Sequence, residues 1–234
     1  MNQDTSTPVT DTSISERLRA IPVFTVDLPD FDPGAAPADP VSLFVDWLRQ
    51  AIDDGVREPH AMVLSTVDGD HRPSSRVLIL KDVDTEGRWY FASGATSRKG
   101  RELAANPHAA ITFHWPAHGR QIRIRGTVAS AGPERSAADF LGRSDGARAE
   151  SLLGRQSQIL ADPADIAAAV RESEARLRED PNLVAENWTL YALTALDVEF
   201  WQADKQRRHV RLTYQRDDRS DAETQAWNRN LLWP

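Results

Sequence analysis

Cysteine is absent from all 234 residues. That excludes a disulfide framework, a thiolate nucleophile and a sulfur-ligated metal, and it fits a reducing cytoplasm. Positive charge is short as well: 28 Lys and Arg face 35 Asp and Glu, a formal net charge of −7. A general nucleic-acid binder is therefore not expected, and a basic cluster in this chain reads as a local site for a small anion. No run approaches the ~18 apolar residues of a membrane span, and the Thr/Ser/Asp-rich N-terminus is unlike a signal peptide, so no membrane partner is expected. There is no P-loop, no His-Glu-x-x-His and no Gly-x-Gly-x-x-Gly. His114 and His118 have a metal-like spacing, but Pro116 between them prevents the helix that would align them, and no metal is expected. The carboxylates form no obvious pair. An enzyme of this composition leaves its hard step to a cofactor.

What is present has the length of one sizeable domain. Residues 1–38 mix Thr, Ser, Asp and Pro and read as a flexible N-terminal arm, with residues 39–234 as the folded domain. Asp39-Pro40 caps a helix whose Phe44, Trp47, Leu48 and Ala51 recur at helical spacing until Gly55. The period then becomes that of strands. Ala61 to Val67 and Ser75 to Lys81 flank the turn Asp68-Gly69-Asp70, and Arg88 to Ala92 and Ala109 to Trp115 follow. Arg120 to Val128 alternates cleanly, with Ile122 and Ile124 opposite Gln121, Arg123 and Arg125. Helices are predicted at Pro133 to Leu141 and from Asp162-Pro163 to about Arg178, with Gly142 to Gln158 irregular between them. Trp188 to Trp201, Arg207 to Gln215 and Trp227 to Trp233 read as strands, and Asp217 to Thr224 as a hairpin loop. The sum is a mainly β, α+β fold: an antiparallel barrel with peripheral helices.

The chain reads as organised around the polar turn Ala92-Ser93-Gly94-Ala95-Thr96-Ser97-Arg98-Lys99-Gly100, which ends a strand and opens a helix. Ser93, Thr96 and Ser97 offer hydroxyls, and Arg98 and Lys99 fall in the first turn of a helix, where the macrodipole disfavours cations. A bound anion, above all a phosphate, would offset that repulsion. Further cationic and amide groups stand at strand ends: Arg76, Lys81, Gln121, Gln156-Ser157 and Arg207-Arg208-His209-Val210-Arg211.

In order along the chain, Ser75-Arg76-Val77-Leu78-Ile79-Leu80-Lys81, Ser97-Arg98-Lys99-Gly100, Asn106-Pro107, Arg120-Gln121-Ile122-Arg123-Ile124-Arg125-Gly126, Arg155-Gln156-Ser157, Glu199-Phe200-Trp201-Gln202 and Arg207-x-His209-x-Arg211 resemble the FMN-binding split-barrel family of pyridoxamine 5′-phosphate oxidase. The resemblance implies a split β-barrel that forms a homodimer with FMN at the subunit interface. It places Arg76, Arg98 and Lys99 at the FMN phosphate and ribityl chain, with Val77, Leu78, Lys81, Ser93 and the backbone of Ala92 beside them. Gln121, Gln156, Ser157, Trp201 and Arg211 complete the implied flavin site. Ala92 stands where the family often has tyrosine, which a backbone contact would tolerate.

On the substrate side the resemblance points to Lys81, Asp139, Arg143, Arg207 and His209, with Arg207 and His209 as the catalytic pair. Asp139 replaces a phosphate-binding tyrosine and Ala147 a serine, and a carboxylate at Asp139 would repel a phosphate dianion. Leu28-Pro29-Asp30-Phe31, Ala38-Asp39-Pro40 and Gly55-Val56-Arg57-Glu58-Pro59 are more similar to the phenazine-biosynthesis oxidase branch. The leading expectation is an FMN oxidase of specialised metabolism. It would pass a hydride from a dihydro-aromatic or amine-like substrate to flavin N5, with O2 as acceptor and hydrogen peroxide as product. Alternatives are a pyridoxine/pyridoxamine 5′-phosphate oxidase and a flavin-binding protein of low activity.

Overall fold

A computed structural model describes residues 13–216 and 226–234. The hairpin loop expected at Asp217 to Thr224 and the first twelve residues of the arm lie outside that range. Within residues 1–38 a capping box between Ser13 and Glu16 starts the short helix α1 (Ile14–Arg19). The segment after it lies on the body of the protein: Asp27 pairs with Lys205 at 3.1 Å, and the Phe31 ring meets Trp47 edge-on at 5.0 Å.

Helix α2 (Pro40–Asp53) begins as its sequence dictates, with Asp39 Oδ1 accepting from the Ser42 amide at 2.9 Å and Pro40 in the first turn. Its apolar stripe enters the barrel, where Phe44 meets Phe113 at 5.0 Å and Trp47 meets Phe200 at 5.2 Å. β1 (Ala61–Val67) and β2 (Pro73–Ile79) form a hairpin with Leu64 opposite Arg76. β3 (Asp82–Val83), β4 (Arg88–Gly94), α3 (Arg98–Ala105), β5 (His108–Trp115) and a 3₁₀ turn at Pro116–His118 lead to β6 (Arg120–Ser130). After α4 (Pro133–Leu141), α5 (Asp145–Leu152) and α6 (Ala164–Glu179), the chain returns through β7 (Trp188–Gln202), β8 (Val210–Arg216) and β9 (Trp227–Leu231). No described helix is long and apolar enough to cross a membrane.

Among the described residues all the strand pairs are antiparallel, in the order β2-β1-β5-β6-β7-β4-β3, with β8 also on β7 and β9 on β8. The sheet forks along one edge of β7. Its first half pairs with β4 as far as Thr194, and its second half pairs with β8 from Asp197 onward. A bulge marks the fork: the β6–β7 register slips between Arg125 and Gly126, which face Asp197 and Ala195 and leave Leu196 over. Gly126 is required there, because a Cβ would lie 2.0 Å from the Thr194 carbonyl oxygen. Gly126→Ala is expected to lower the unfolding free energy by about 1–3 kcal/mol, read from the urea midpoint. An unchanged midpoint would show that the fork yields.

Two expectations need correcting. Gly142 to Gln158 is not irregular throughout, since α5 occupies Asp145–Leu152, buries Ala149 and buries Arg148. The arginine is a polar residue on the helix's buried face: its guanidinium caps the Pro181 and Leu183 carbonyls and lies over the Phe140 ring at 5.6 Å. The strand predicted from Arg207 begins only at Val210, because Asp204 turns the chain first by accepting the Gln206 and Arg208 amides at 2.7 and 3.1 Å.

Candidate active site

The turn between β4 and α3 builds a buried cation. Ser97 caps α3, its Oγ accepting from the Gly100 amide at 3.2 Å. Lys99 is only 6% exposed, and its Nζ donates to Ser93 Oγ at 3.0 Å, Ser97 Oγ at 3.1 Å and Gln156 Oε1 at 3.0 Å. None of these partners carries charge. Burial, reinforced by the nearby Arg76 and only partly offset by Glu102, lowers the Lys99 ammonium to about 8. Ser157, with φ of 72°, turns its Oγ to accept the Arg98 amide at 3.1 Å. Gln156 and Ser157 thus join the turn that the sequence singled out. A cationic pocket floored by the hydroxyls of Ser93 and Ser97 fits a phosphate ester.

Beneath it lies a carboxylate that sequence reading passes over. Glu102 Oε2 accepts from Thr66 Oγ1 at 2.5 Å, Ser74 Oγ at 2.8 Å and the Arg76 guanidinium at 3.1 Å, while its Oε1 takes Arg98 Nε at 2.8 Å. Burial resists its ionisation, but the bonds from Thr66, Ser74, Arg98 and Arg76 outweigh that and hold it at about 2. The cations at the start of α3 are therefore offset in part from within the chain. The available signal was local: Glu102 follows Arg98 by one helical turn.

A second group stands on the other half of β7. Gln121, Trp201 and Arg211 are neighbours in register on β6, β7 and β8. Glu199, also buried, bridges Arg123 and Arg211 Nε, the latter at 2.8 Å, and these two arginines outweigh burial in lowering its carboxyl. Arg207 is exposed with φ of 64°, and His209 packs on Trp201 with ring centres 4.9 Å apart. His209 Nδ1 accepts the Asp204 amide at 3.1 Å, so the neutral ring carries its proton on Nε2. Phe24, from the arm segment, meets His209 edge-on at 5.7 Å, and a cavity of about 600 Å³ opens between this segment, His114, Gln121 and Trp201.

The third group gathers around Trp188, at the start of β7. Lys81 Nζ lies 3.3 Å from Asp139 Oδ1, and Asp139 Oδ2 accepts Trp188 Nε1 at 2.8 Å. The Arg143 guanidinium lies over the Trp188 ring at 4.1 Å and donates to Ser151; burial lowers its basicity. A cavity of about 260 Å³ lined by Gly94, Gln156, Ile166 and Trp188 connects this group with the Lys99 pocket. Val77 is 65% exposed on β2, while Leu78 and Ala92 are half-buried. Among the described residues, no hydrogen bond or ion pair joins the Trp201 group to the Lys99 pocket or to the Trp188 group.

Two motif-like features lack the local geometry their motifs call for. His118 sits in the 3₁₀ turn with Nε2 3.0 Å from Asp54, while His114 is a strand residue of β5. Gly142-Arg143-Ser144-Asp145-Gly146 has the spacing of a nucleophile elbow, but it joins α4 to α5 and not a strand to a helix.

Residues 48–184 match the family described as pyridoxamine 5′-phosphate oxidase, and residues 188–234 match the pyridoxine 5′-phosphate oxidase C-terminal dimerisation region. The pyridoxine/pyridoxamine 5′-phosphate oxidase of Pseudomonas paraeruginosa is 39% identical over 205 residues, covering 85% of this chain and 90% of that protein. The enzyme of the same description from Paraburkholderia phymatum is 40% identical over 189 residues, covering 81% and 86%. Among solved structures, PhzG from Burkholderia lata in complex with tetrahydrophenazine-1-carboxylic acid superposes with a TM-score of 0.80 at 32% identity, covering 89% of this chain and 99% of that one. A pyridoxamine 5′-phosphate oxidase-related, FMN-binding protein from Nostoc punctiforme has the same fold, with a TM-score of 0.65 at 20% identity and coverage of 84% and 98%.

Proposed function

Since this chain belongs to the pyridoxamine 5′-phosphate oxidase family and is an FMN-dependent oxidoreductase, we propose that it oxidises a carboxylated dihydro-aromatic substrate of the phenazine type in specialised metabolism. The observation that carries this reading is the contact of Lys81 with Asp139 at 3.3 Å. A lysine already neutralised by a carboxylate is a poor receptor for a phosphate dianion, whereas a flat acid needs only a singly charged partner and an aromatic wall. Arg143, stacked on Trp188, supplies both. The ligand of the Burkholderia lata relative is a tricyclic acid of this kind.

In this reading Arg76, Arg98 and Lys99 hold the FMN phosphate, with Ser93, Gln156 and Ser157 around it. Val77, on the exposed face of β2, and the backbones of Leu78 and Ala92 would line the flavin. The C-terminal dimerisation region implies a homodimer. The separation of the Trp201 group from the Lys99 pocket supports a site completed by a second copy, with Gln121, Trp201 and Arg211 supplied from across the interface. FMN held there would supply a hydride acceptor at N5 that O2 could reoxidise, with hydrogen peroxide as product. Arg207 and His209 do the positioning: the His209 Nε2–H donates to a polar group of the substrate, and Arg207 pairs with its negative charge.

A specific observation favours a second reading, in which the substrate is pyridoxine or pyridoxamine 5′-phosphate. The curated relatives described as such enzymes are 39% and 40% identical to this chain, and Lys81 and Arg143 are both present. Anaerobic addition of each substrate to the flavin-loaded protein separates the two. Bleaching of the visible flavin bands by a reduced phenazine carboxylate, and not by pyridoxine 5′-phosphate, is expected. Bleaching by the vitamin ester alone overturns the proposal, and bleaching by neither identifies a flavin carrier of low activity.

A further inference from the structure

Resting on the assignment of Arg76, Arg98 and Lys99 to the FMN phosphate, we propose that Glu102 is a positioning residue that fixes the two guanidinium groups and so sets the affinity for the phosphate end of the cofactor. Its four contacts divide between them. Through Nε it grips one edge of Arg98, a side chain otherwise 59% exposed, and among the described residues neither terminal nitrogen of the fork is engaged, so both can meet an anion. Arg76 it holds directly at 3.1 Å and again through two hydroxyls.

Those hydroxyls have a single proton each. Thr66 and Ser74 commit theirs to Glu102, so their lone pairs are left to accept Arg76 Nη1 at 2.5 Å and Nη2 at 2.6 Å. The charge on Glu102 therefore orients both hydroxyls as well as both arginines. A glutamine of the same shape would present an amide N–H₂ to groups that are themselves donating, and the arrangement would have no consistent hydrogen-bond pattern. Held this way, Arg98 offers its terminal nitrogens to a phosphate without first losing rotamer freedom, and Arg76, whose terminal N–H groups go to Leu64, Thr66, Ser74 and Glu102, offers its Nε–H.

The test separates the phosphate end from the rest of the flavin. The full-length chain, stripped of flavin, is titrated with FMN and with riboflavin by quenching of flavin fluorescence. Glu102→Gln is expected to weaken FMN about tenfold, the scale of one charge-assisted hydrogen bond, and to leave riboflavin unchanged. In an Arg98→Gln background the same substitution is expected to weaken FMN less than threefold, because the two act as a unit. If Glu102→Gln is unfolded by thermal melting, Ser74→Ala takes its place, with an expected loss of about threefold for FMN alone. Equal weakening of FMN and riboflavin, or no weakening of FMN, overturns the role of Glu102. Failure of the underlying assignment looks different: Arg98→Gln and Lys99→Met would then bind FMN as tightly as the native chain.

Discussion

Lys99→Met is expected to give a folded protein that loses FMN on gel filtration, with the dissociation constant raised about 100-fold or more. The ammonium lies in a buried pocket whose partners are neutral oxygens, so a phosphate entering there meets a cation that water does not screen. Methionine has similar length and no charge to desolvate. The groups left behind are not orphaned, since Ser93 Oγ already lies 3.5 Å from Ser97 Oγ and 3.3 Å from Gln156 Oε1. The pH dependence has a definite sign. Lys99 titrates at about 8 in the folded chain against an ordinary 10.5, so the unfolded chain binds the extra proton between those values and the flavin-free protein gains stability as pH rises through them. The Lys99→Met variant is expected to lack that gain. Conversely, FMN affinity of the native chain is expected to fall above pH 8, where the cation that meets the phosphate is lost. Retention of FMN by Lys99→Met at pH 7.5, measured by equilibrium dialysis, would remove Lys99 from the site.

The second large effect is expected at Asp139. Asp139→Asn keeps an oxygen for Trp188 Nε1 and frees Lys81 from its 3.3 Å partner. A unit negative charge is removed from a half-sheltered pocket, worth ~2 kcal/mol against a phosphate at an effective dielectric near that of a protein surface. The specificity constant for pyridoxine 5′-phosphate is therefore expected to rise about 30-fold, in steady-state assays of peroxide formation. A tricyclic monoacid should respond by less than fivefold, since it gains only a single charge interaction. If Asp139→Asn changes neither substrate, the Trp188 group lies away from the reacting molecule, and the phenazine reading loses its main support.

Periodicity exposed the barrel because its strands are half-buried. Ile122 and Ile124 on β6 are fully buried while Arg123 and Arg125 pair outward with Glu199 and Asp197, and this alternation is visible in the residues alone. The cap of α2 and the Ser97 cap of α3 were equally local signals. The fork on β7 was not legible, since nothing in the run from Trp188 to Gln202 records that its two halves have different partners on one edge. The same limit applied to the charges. Arg76, Arg98 and Lys99 stood out as cations at strand and helix ends, but Glu102 reads as one acid among many until β1 and β2 bring Thr66, Ser74 and Arg76 against it. Asp139 was marked as incompatible with a phosphate, yet its pairing with Lys81 and Trp188 depends on α4 packing over the start of β7. The helix at Asp145–Leu152 was hidden because its buried face rests on an arginine and not on a row of apolar side chains.

The fork also orders events on the ribosome. The β1–β2 and β5–β6 hairpins pair from neighbouring sequence and can close as soon as they emerge. β4 cannot: its partners are the two-residue β3 and the distant β7, with Gly94 opposite Trp188. Until Trp188–Gln202 has been synthesised, the apolar strand that carries Ser93 presents an open edge, the kind that pairs with other nascent chains. The strand proposed to border the cofactor is thus one whose edge stays open until β7 is made.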